Sequence, residues 1–479
     1  MQQSHRLPTI LEIVVIAAGI IGVIFLFVQV LALPIQLALV TGWFIIMAMG
    51  KRLGLSYEQM QAGLCKGIGH GMEAILVLIA VGALIGSWMA GGIVPNIIYS
   101  GLSIMNPHIF LLAAFVICAV TSIATGTSFG TIGTAGIAMI GIGAGFGLPL
   151  PLVAGAAICG AYVGDKLSPL SDTTVMTASL CRVPLTSHIR SMLYVSVPAF
   201  IIAGVMFLIA GLILAHDGST AQAQQVMDSI SAEYTIAWYM LVPAIAVVVL
   251  LVMKFPSVPV IFFGAVLGVV WAMLFEGMES VSAISTLYAG NHINSDVDFI
   301  NILLNRGGIA SMLEVILLVM LALGLGGLME VTGVLSTISA GLERWATKPG
   351  RLGVSTLFAG FLGNVLGGAA YVSLITATAL TGKNYEKLGV DRRVLSRNTE
   401  AGGTLTTPMV PWTDGGVFMA TTLGVATTTY LPFLWYHFAV LIISVFYGYA
   451  NWFSFAENQQ PKQQPEAQNT LGDLQSSSK

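Results

Sequence analysis

Long apolar stretches alternate with short polar ones along most of the chain. Each apolar stretch is about 20 residues long, which matches the hydrocarbon thickness of a bilayer. The pattern predicts membrane segments near 9–30, 32–50, 72–90, 108–125, 127–147, 151–180, 190–215, 235–254, 257–275, 312–331, 352–367, 369–382, 398–424 and 430–453. Two of them, 127–147 and 369–382, are short or rich in glycine and threonine, and the sequence leaves open whether they are re-entrant or full spans. The predicted fold is an all-α polytopic membrane protein with about 11–14 membrane segments.

Composition supports this class. Hydrophobic residues make up 56% of the chain and charged residues only 9%, whereas a soluble domain has about 25% charged residues. The net charge of −3 provides no basic surface for nucleic acid. Four cysteines lie in or beside apolar runs without metal-ligand spacing, so we expect reduced packing residues.

The positions of cationic residues predict an orientation. If the N-terminus is inside, the cations after the second span and those between 383 and 397 all fall on the cytoplasmic side. The loops on the opposite side, near 216–229 and 276–299, are acidic or neutral. We therefore expect a bacterial inner-membrane protein with both termini in the cytoplasm. Residues 1–456 form one transporter domain, and the Gln- and Ser-rich segment 457–479 is predicted to be a disordered cytoplasmic tail.

A faint internal repeat divides the membrane region. Similar apolar runs begin at Met72 and Met312, and each is followed by a span, a small polar cluster and an interrupted span. Pro169 and Pro408 occupy matching places in this comparison. An odd number of predicted crossings separates the two copies, which predicts inverted repeats at about 72–215 and 312–453. Broken helices meeting near the midplane are typical of secondary transporters, although chance similarity between apolar runs remains the alternative.

The stretch "GDKLSPLSDTT" at 164–174 places Asp165, Lys166 and Asp172 inside an apolar region. A charge at the bilayer centre costs about 2.5–3.5 kcal/mol, so these groups must face protein or water. Pro169 removes a backbone donor and should break the helix here. The alternative is a solvated cytoplasmic loop, but residues 151–180 would then divide into two pieces too short to span.

The same stretch predicts a cation site. Hydroxyl oxygens come from Ser168, Ser171 and Thr173, and hard cations prefer oxygen ligands. We expect Asp172, Ser171 and Ser168 to bind Na⁺. A carboxylate held away from water binds either a proton or Na⁺, and this competition couples the two fluxes. Lys166 is expected to pair with Asp165, leaving Asp172 to exchange protons, or else to extend towards the interface.

Further candidates lie elsewhere in the two halves. Asp414 follows two helix-breaking prolines and is the stronger acidic candidate of the second half, since Glu400 lies near Arg397 and suits an interfacial ion pair equally well. The hydroxyl groups near the first-half site, including those of Thr127 and Ser128, are typical either of residues that line a site or of a motif for helix–helix packing. The remaining candidate ligands are Thr127, Ser128, Asn364, Thr407 and Thr413.

Other ionisable groups suggest no further chemistry. The histidines, for example His70, His108 and His188, lie near predicted segment ends and are expected at the surface. No enzyme motif is present, and no Walker loop for ATP. The expected energy source is an ion gradient, with no cofactor beyond the transported Na⁺ and H⁺. The expected partners are the bilayer and small ions, with a homodimer as the one protein assembly considered.

Two stretches, "GTSFGTIGTAGIAMIGIG" at 126–143 and "GAYVGDKLSPLSDTTVMTASL" at 160–180, resemble the NhaC family of Na⁺/H⁺ antiporters. The resemblance covers about residues 8–453. It implies exchange of Na⁺ (or Li⁺) for H⁺ across a bacterial inner membrane, with scaffold and transport elements in inverted repeats. It also implies that Asp165, Ser168, Ser171, Asp172 and Thr173 form the polar core, with Thr127 and Ser128 as the small hydroxyl motif.

The second half departs from the family pattern. Ala401 stands where a second acid is often found, and Thr413-Asp414 where an Asn-led pair is usual. The family also includes proteins similar to malate/lactate exchangers, so an organic-anion exchanger coupled to Na⁺ or H⁺ is the alternative to simple Na⁺/H⁺ antiport. A passive channel is a third hypothesis, and the intramembrane carboxylates disfavour it.

Overall fold

The computed structural model describes residues 6–31, 33–214, 217–293, 304–305, 307–334, 337–338, 341 and 345–455. These residues form helices and connecting turns, with no strand among them. The predicted tail at 457–479 lies outside the described residues.

The helices of the described residues follow one another along the chain. They are α1 Ile10–Phe25, α2 Ile35–Arg52, α3 Tyr57–His70, α4 Met72–Ala90, α5 Ile93–Ile104, α6 Phe110–Thr125, α7 Ser128–Gly145, α8 Leu150–Leu167, α9 Asp172–Leu180, α10 Leu185–Leu214, α11 Asp217–Glu233, α12 Val242–Val252, α13 Ser257–Phe275, α14 Ser280–Ala289, α15 Ile309–Val331, α16 Pro349–Gly367, α17 Ala370–Lys387, α18 Arg392–Gly402, α19 Asp414–Leu423, α20 Thr427–Tyr430 and α21 Trp435–Ala450.

Several helices have the length and composition of membrane spans. In the described part of the chain, five helices are long and apolar enough to cross a membrane, and the number reaches eight if each of three bent helix pairs forms one span. Three shorter apolar helices of 10–17 residues lie in the same part of the chain, and the count of five to eight spans is below the predicted 11–14 segments. The chain is an all-α polytopic membrane protein, as predicted.

The predicted interruption of 151–180 is confirmed. The first part, α8, ends at Leu167, and α9 begins at Asp172 after a four-residue break that contains Pro169. The second interrupted span likewise divides into α18, a 3-10 turn at Thr404–Met409, and α19. In contrast, α7 is continuous apart from a π-helical turn at Ile132–Gly136, and 83% of it is buried inside the protein.

Two predicted loops contain helices instead. The segment near 216–229 lies mostly in α11, and the next loop contains α14. Ala223, Val226 and Ile230 are buried at helical spacing on α11 and belong to the main core. This spacing of three and four residues is visible in the sequence, but the polar residues between these positions obscured it.

The two halves share backbone geometry at a constant separation of 242 residues. The chain leaves α6 through Gly126 at φ +74° and leaves α16 through Gly368 at φ +69°. One extended residue follows each glycine, and then α7 or α17 begins. Glycine suits both corners because left-handed backbone disfavours other residues.

The same separation relates the interrupted spans. Ser171 caps α9 by accepting from Thr174 N, and Thr413 caps α19 by accepting from Gly416 N. The register that these helix starts define pairs Pro169 with Pro411 instead of the expected Pro408, which lies inside the 3-10 turn. The opposite orientation of the two halves in the membrane stays a prediction.

Candidate functional site

A cavity with about 610 Å³ of atom-free space, part of it open to solvent, lies where four helices begin. Residues at the N-terminal ends of α7, α9, α17 and α19 contribute to its wall. The lining residues are His70, Val77, Thr127, Ser128, Phe129, Tyr162, Asp165, Asp172, Thr173, Ser257, Ala370, Tyr371, Thr404, Thr407 and Asp414. Because helix N-termini carry partial positive charge, this cavity favours anionic groups, including its own carboxylates.

Asp165 is the most enclosed acid of the first half. Its side chain is 4% exposed. Ser128 Oγ donates to Oδ2 at 2.8 Å, and Ser171 Oγ donates to Oδ1 at 2.7 Å. These two hydrogen bonds fix the orientation of the carboxylate. The predicted grouping of Asp165 with Ser128 and Ser171 is therefore present in the structure.

Asp172 has a different environment. Its side chain is exposed to the cavity at the first position of α9, and Oδ1 accepts from Thr173 N at 2.9 Å. The hydroxyl of Tyr371, on α17, donates to Oδ2. Asp172 therefore joins the two halves of the protein across the cavity and is accessible to an entering ion.

Asp414 occupies the equivalent first position of α19. It is 4% exposed, and Oδ1 accepts from Gly415 N at 2.6 Å. Its backbone N donates to Gly368 O at 2.8 Å, which connects α19 to the glycine corner before α17. The acid predicted for the second half thus lines the same cavity as Asp165 and Asp172.

Thr404 adds a hydroxyl to the cavity wall. It is only 2% exposed, and its Oγ1 has no hydrogen-bond partner among the described residues.

The lining also contains polar residues that the sequence did not place at the site, among them His70, Tyr162, Ser257 and Tyr371. Tyr162 precedes Asp165 by three positions on α8, so helical spacing could have placed both on one face. No local signal joins Tyr371 or Ser257 to the motif, and His70 was expected at the surface.

Several predicted site residues support the cavity without lining it. Ser168 Oγ donates to Ile123 O at 2.9 Å. Thr413 Oγ1 donates to Thr407 O at 2.6 Å. Asn364 Nδ2 donates to Gly403 O at 2.7 Å, equivalent to the bond from Ser122 Oγ to Ala161 O in the first half. The bonds of Ser168, Ser122 and Asn364 hold the interrupted spans against α6 and α16, and the Thr413 bond closes the turn before α19.

Lys166 and Glu400 form a separate buried group, and the expected pairing of Lys166 with Asp165 is not seen. Lys166 Nζ donates to the Glu400 backbone carbonyl at 2.9 Å. The Glu400 carboxylate accepts from Thr177, and its Oε1 has no partner among the described residues. Glu400 is fully buried, which excludes the interfacial ion pair with Arg397. The backbone turn before Gly403 brings this carbonyl to Lys166, and no sequence pattern reveals that approach.

The surface location expected for the histidines is wrong for His188, which is fully buried, as is His437. Three of the four cysteines are buried and all four are free, as expected. Within the described ranges, no group of three or more His, Cys, Asp or Glu side chains could hold a metal ion.

Comparison with known proteins identifies relatives over most of the chain. The Na⁺/H⁺ antiporter family matches residues 4–183 and 160–452. The malate-2H⁺/Na⁺-lactate antiporter of Bacillus subtilis is 50% identical over 451 residues, covering 94% of this chain and 96% of the relative. The Na⁺/H⁺ antiporter NhaC of Alkalihalophilus pseudofirmus is 35% identical over 421 residues, covering 88% and 91%. The arginine/ornithine antiporter ArcD of Halobacterium salinarum is 32% identical over 416 residues, covering 86% and 85%.

These matches confirm the resemblance inferred from the two motif stretches. Both motifs lie within the matched ranges, and the apolar helices agree with a membrane transporter. The chain belongs to the Na⁺/H⁺ antiporter family.

Proposed function

We propose that this protein exchanges Na⁺ for H⁺ across the bacterial inner membrane through competition at the carboxylates of the cavity. The observation that carries the proposal is the convergence of Asp165, Asp172 and Asp414 on one hydroxyl-lined space. Two of these acids occupy equivalent helix starts in the two halves. The family assignment supports ion exchange in general.

The chemistry follows from the positions of the acids. Asp172 is accessible, and its carboxylate accepts hydrogen bonds from the Tyr371 hydroxyl and from Thr173 N. Binding of Na⁺ excludes a proton from the same carboxylate, and protonation removes the charge that holds Na⁺. The site therefore releases one ion by taking up the other. Asp165, held in place by Ser128 and Ser171, is the second carboxylate of this half.

A small organic acid as additional cargo is the second candidate. The starts of α7, α9, α17 and α19 contribute partial positive charge to a cavity that is partly open to solvent. Once protons or Na⁺ neutralise the carboxylates, the cavity can accept an organic carboxylate at these helix starts. The 50% identity to a malate-2H⁺/Na⁺-lactate antiporter supports this candidate.

Reconstitution in liposomes with a trapped pH dye separates the two candidates. Under a preset proton gradient, NaCl, KCl or choline malate is added at fixed osmolarity. Proton movement with Na⁺ alone establishes cation/proton exchange. A response only when malate and lactate are on opposite sides assigns organic-anion exchange. Saturable exchange without single-channel current excludes a channel.

The acids at the starts of α9 and α19 should both be required for exchange. Asp172→Asn and Asp414→Asn keep side-chain size but remove the group for which Na⁺ and H⁺ compete, so each should abolish Na⁺-dependent proton movement. Glu279→Gln, which alters an exposed acid outside the cavity lining, is the control and should exchange like the wild type. Undiminished exchange in Asp172→Asn, with the protein monodisperse in detergent, would refute the competition mechanism.

A further inference from the structure

A second cavity lies among α4, α5, α7, α15 and α19. It has about 890 Å³ of atom-free space, part of it open to solvent, and most of its lining is apolar. Its polar lining comes from Asn305, Ser311, Thr421 and Thr422. Thr422 is 5% exposed, and its Oγ1 has no hydrogen-bond partner among the described residues.

The two cavities are stacked along the same three helices. On α4, Val77 lines the first cavity and Ile85 the second. On α7, the corresponding residues are Phe129 and Ile137. The lining residues on α4 and on α7 are eight positions apart, which corresponds to about 12 Å along a helix. On α19 the lining residues of the two cavities are seven positions apart, at 414 and 421.

A thin apolar layer separates the cavities. The rings of Phe129 and Phe418 stack with centroids 4.4 Å apart and an interplanar angle of 17°. Val81 is fully buried beside Gly133, and a Cβ at Gly133 would lie 2.9 Å from Val81 Cγ2. Gly133 belongs to the π turn of α7, and such turns often mark functional positions because they loosen the helical hydrogen-bond ladder.

We infer that the second cavity is the access vestibule on the opposite side of the membrane, and that Phe129, Phe418, Val81 and the π turn form the gate between the two. The inference rests on the proposal that the first cavity binds the transported ions. An apolar layer without water blocks ions and small carboxylates. Exchange without leakage requires such a barrier, which α4 must open by moving relative to α7 and α19. The vestibule then receives hydrated cations or small organic carboxylates.

A disulfide across the layer tests the gate. The Cβ of a residue at 133 would lie 4.0 Å from Val81 Cβ, within the range of about 3.5–4.5 Å seen in disulfides. Val81→Cys and Gly133→Cys are combined in a protein whose four native cysteines are replaced by alanine. Oxidation should lower Na⁺- and malate-driven exchange by about tenfold or more, because the gate can no longer open, and reduction should restore it.

Each single cysteine variant, treated in parallel, is the matched control, because oxidation should not change the exchange rate that the same variant shows when reduced. A cross-link confirmed by mass spectrometry that leaves exchange unchanged would overturn the gate. Failure of the cross-link to form would also overturn it, because α4 and α7 would not be apposed as described.

Labelling of single cysteines gives a second readout that does not depend on which ion is carried. Ser257→Cys lines the first cavity and Thr422→Cys the second. A membrane-impermeant thiol reagent should label them from opposite sides of inside-out and right-side-out vesicles. Labelling of both from one side, or of Thr422→Cys by lipid-soluble reagents alone, would refute the vestibule. If the two cysteines label from opposite sides while Asp172→Asn still exchanges Na⁺, the proposed ion site is wrong. The proposed access route through the two cavities is then supported.

Discussion

At the scale of single residues, the cavity combines three acids with few groups that can carry positive charge. Among its described lining residues, His70 is the one side chain able to do so. Its Nδ1 is shielded from solvent and has no hydrogen-bond partner in the described part of the chain. Lys166, which sequence reasoning placed beside Asp165, instead donates to a backbone carbonyl outside the lining. If the cargo includes an organic carboxylate, His70 is the imidazole of the lining that can donate an N–H to it.

The variant His70→Gln should bind malate more weakly than the wild type. Loss of one charge-assisted hydrogen bond, worth about 1.5–3 kcal/mol, should raise the KM for malate by about tenfold or more, while Na⁺/H⁺ exchange without organic acid continues. The measurement is initial malate flux against concentration in proteoliposomes.

His108→Gln is the matched control. His108 is also half-buried and its Nδ1 also lacks a partner among the described residues, but it does not line the cavity. Equal malate KM values for the two variants would show that His70 does not contact the cargo.

At the scale of elements, the site depends on where helices start and stop. Pro169 and Pro411 precede the capping residues Ser171 and Thr413, and each cap accepts a backbone N–H of the next helix. As a result, Asp172 and Asp414 stand at the first turn, where the helix dipole favours negative charge. The glycine corners at Gly126 and Gly368 set the other two helix starts in the same space.

The variant Gly126→Ala tests whether the glycine corner between α6 and α7 holds the site in place. An alanine in left-handed backbone costs about 1–2 kcal/mol, and here its Cβ would also lie 2.6 Å from Leu170 Cβ and displace the break between α8 and α9. We expect a lower thermal unfolding midpoint in detergent and reduced exchange.

Gly277→Ala separates backbone strain from the clash. Gly277 has φ +66°, and a Cβ there meets nothing within 4 Å. Gly277→Ala should therefore lower the unfolding midpoint only by the cost of the left-handed backbone, and it should exchange ions normally. The same unfolding midpoint and the same exchange rate in both variants would mean that the contact with Leu170 does not hold the site.

At the scale of the whole molecule, the fold brings equivalent elements of two halves around one cavity. The constant separation of 242 residues extends from the glycine corners to the capping residues and to the Ser122 and Asn364 hydrogen bonds. Oppositely oriented halves are one arrangement that gives a transporter equivalent access from both sides. The cation distribution predicts that both termini are cytoplasmic.

Orientation is tested with cysteines at exposed positions in the cysteine-free protein. Lys51→Cys should react with an impermeant reagent in inside-out vesicles, and Glu279→Cys in right-side-out vesicles, because both side chains are exposed and the predicted topology places them on opposite sides. Permeabilised vesicles, in which both should react, control for accessibility. Labelling of both positions from one side would overturn the predicted topology.

The sequence by itself determined the membrane class, the break at Pro169 and the acids Asp165, Asp172 and Asp414, because hydropathy and helix breaking are local properties of the chain. It also indicated the internal repeat, but it aligned Pro169 with Pro408, since apolar runs alone do not define register. Only the tertiary structure placed Tyr371 against Asp172, Lys166 against the Glu400 carbonyl and His70 in the cavity wall. These contacts join residues far apart in the chain, and packing between helices, which leaves no local pattern, decides them.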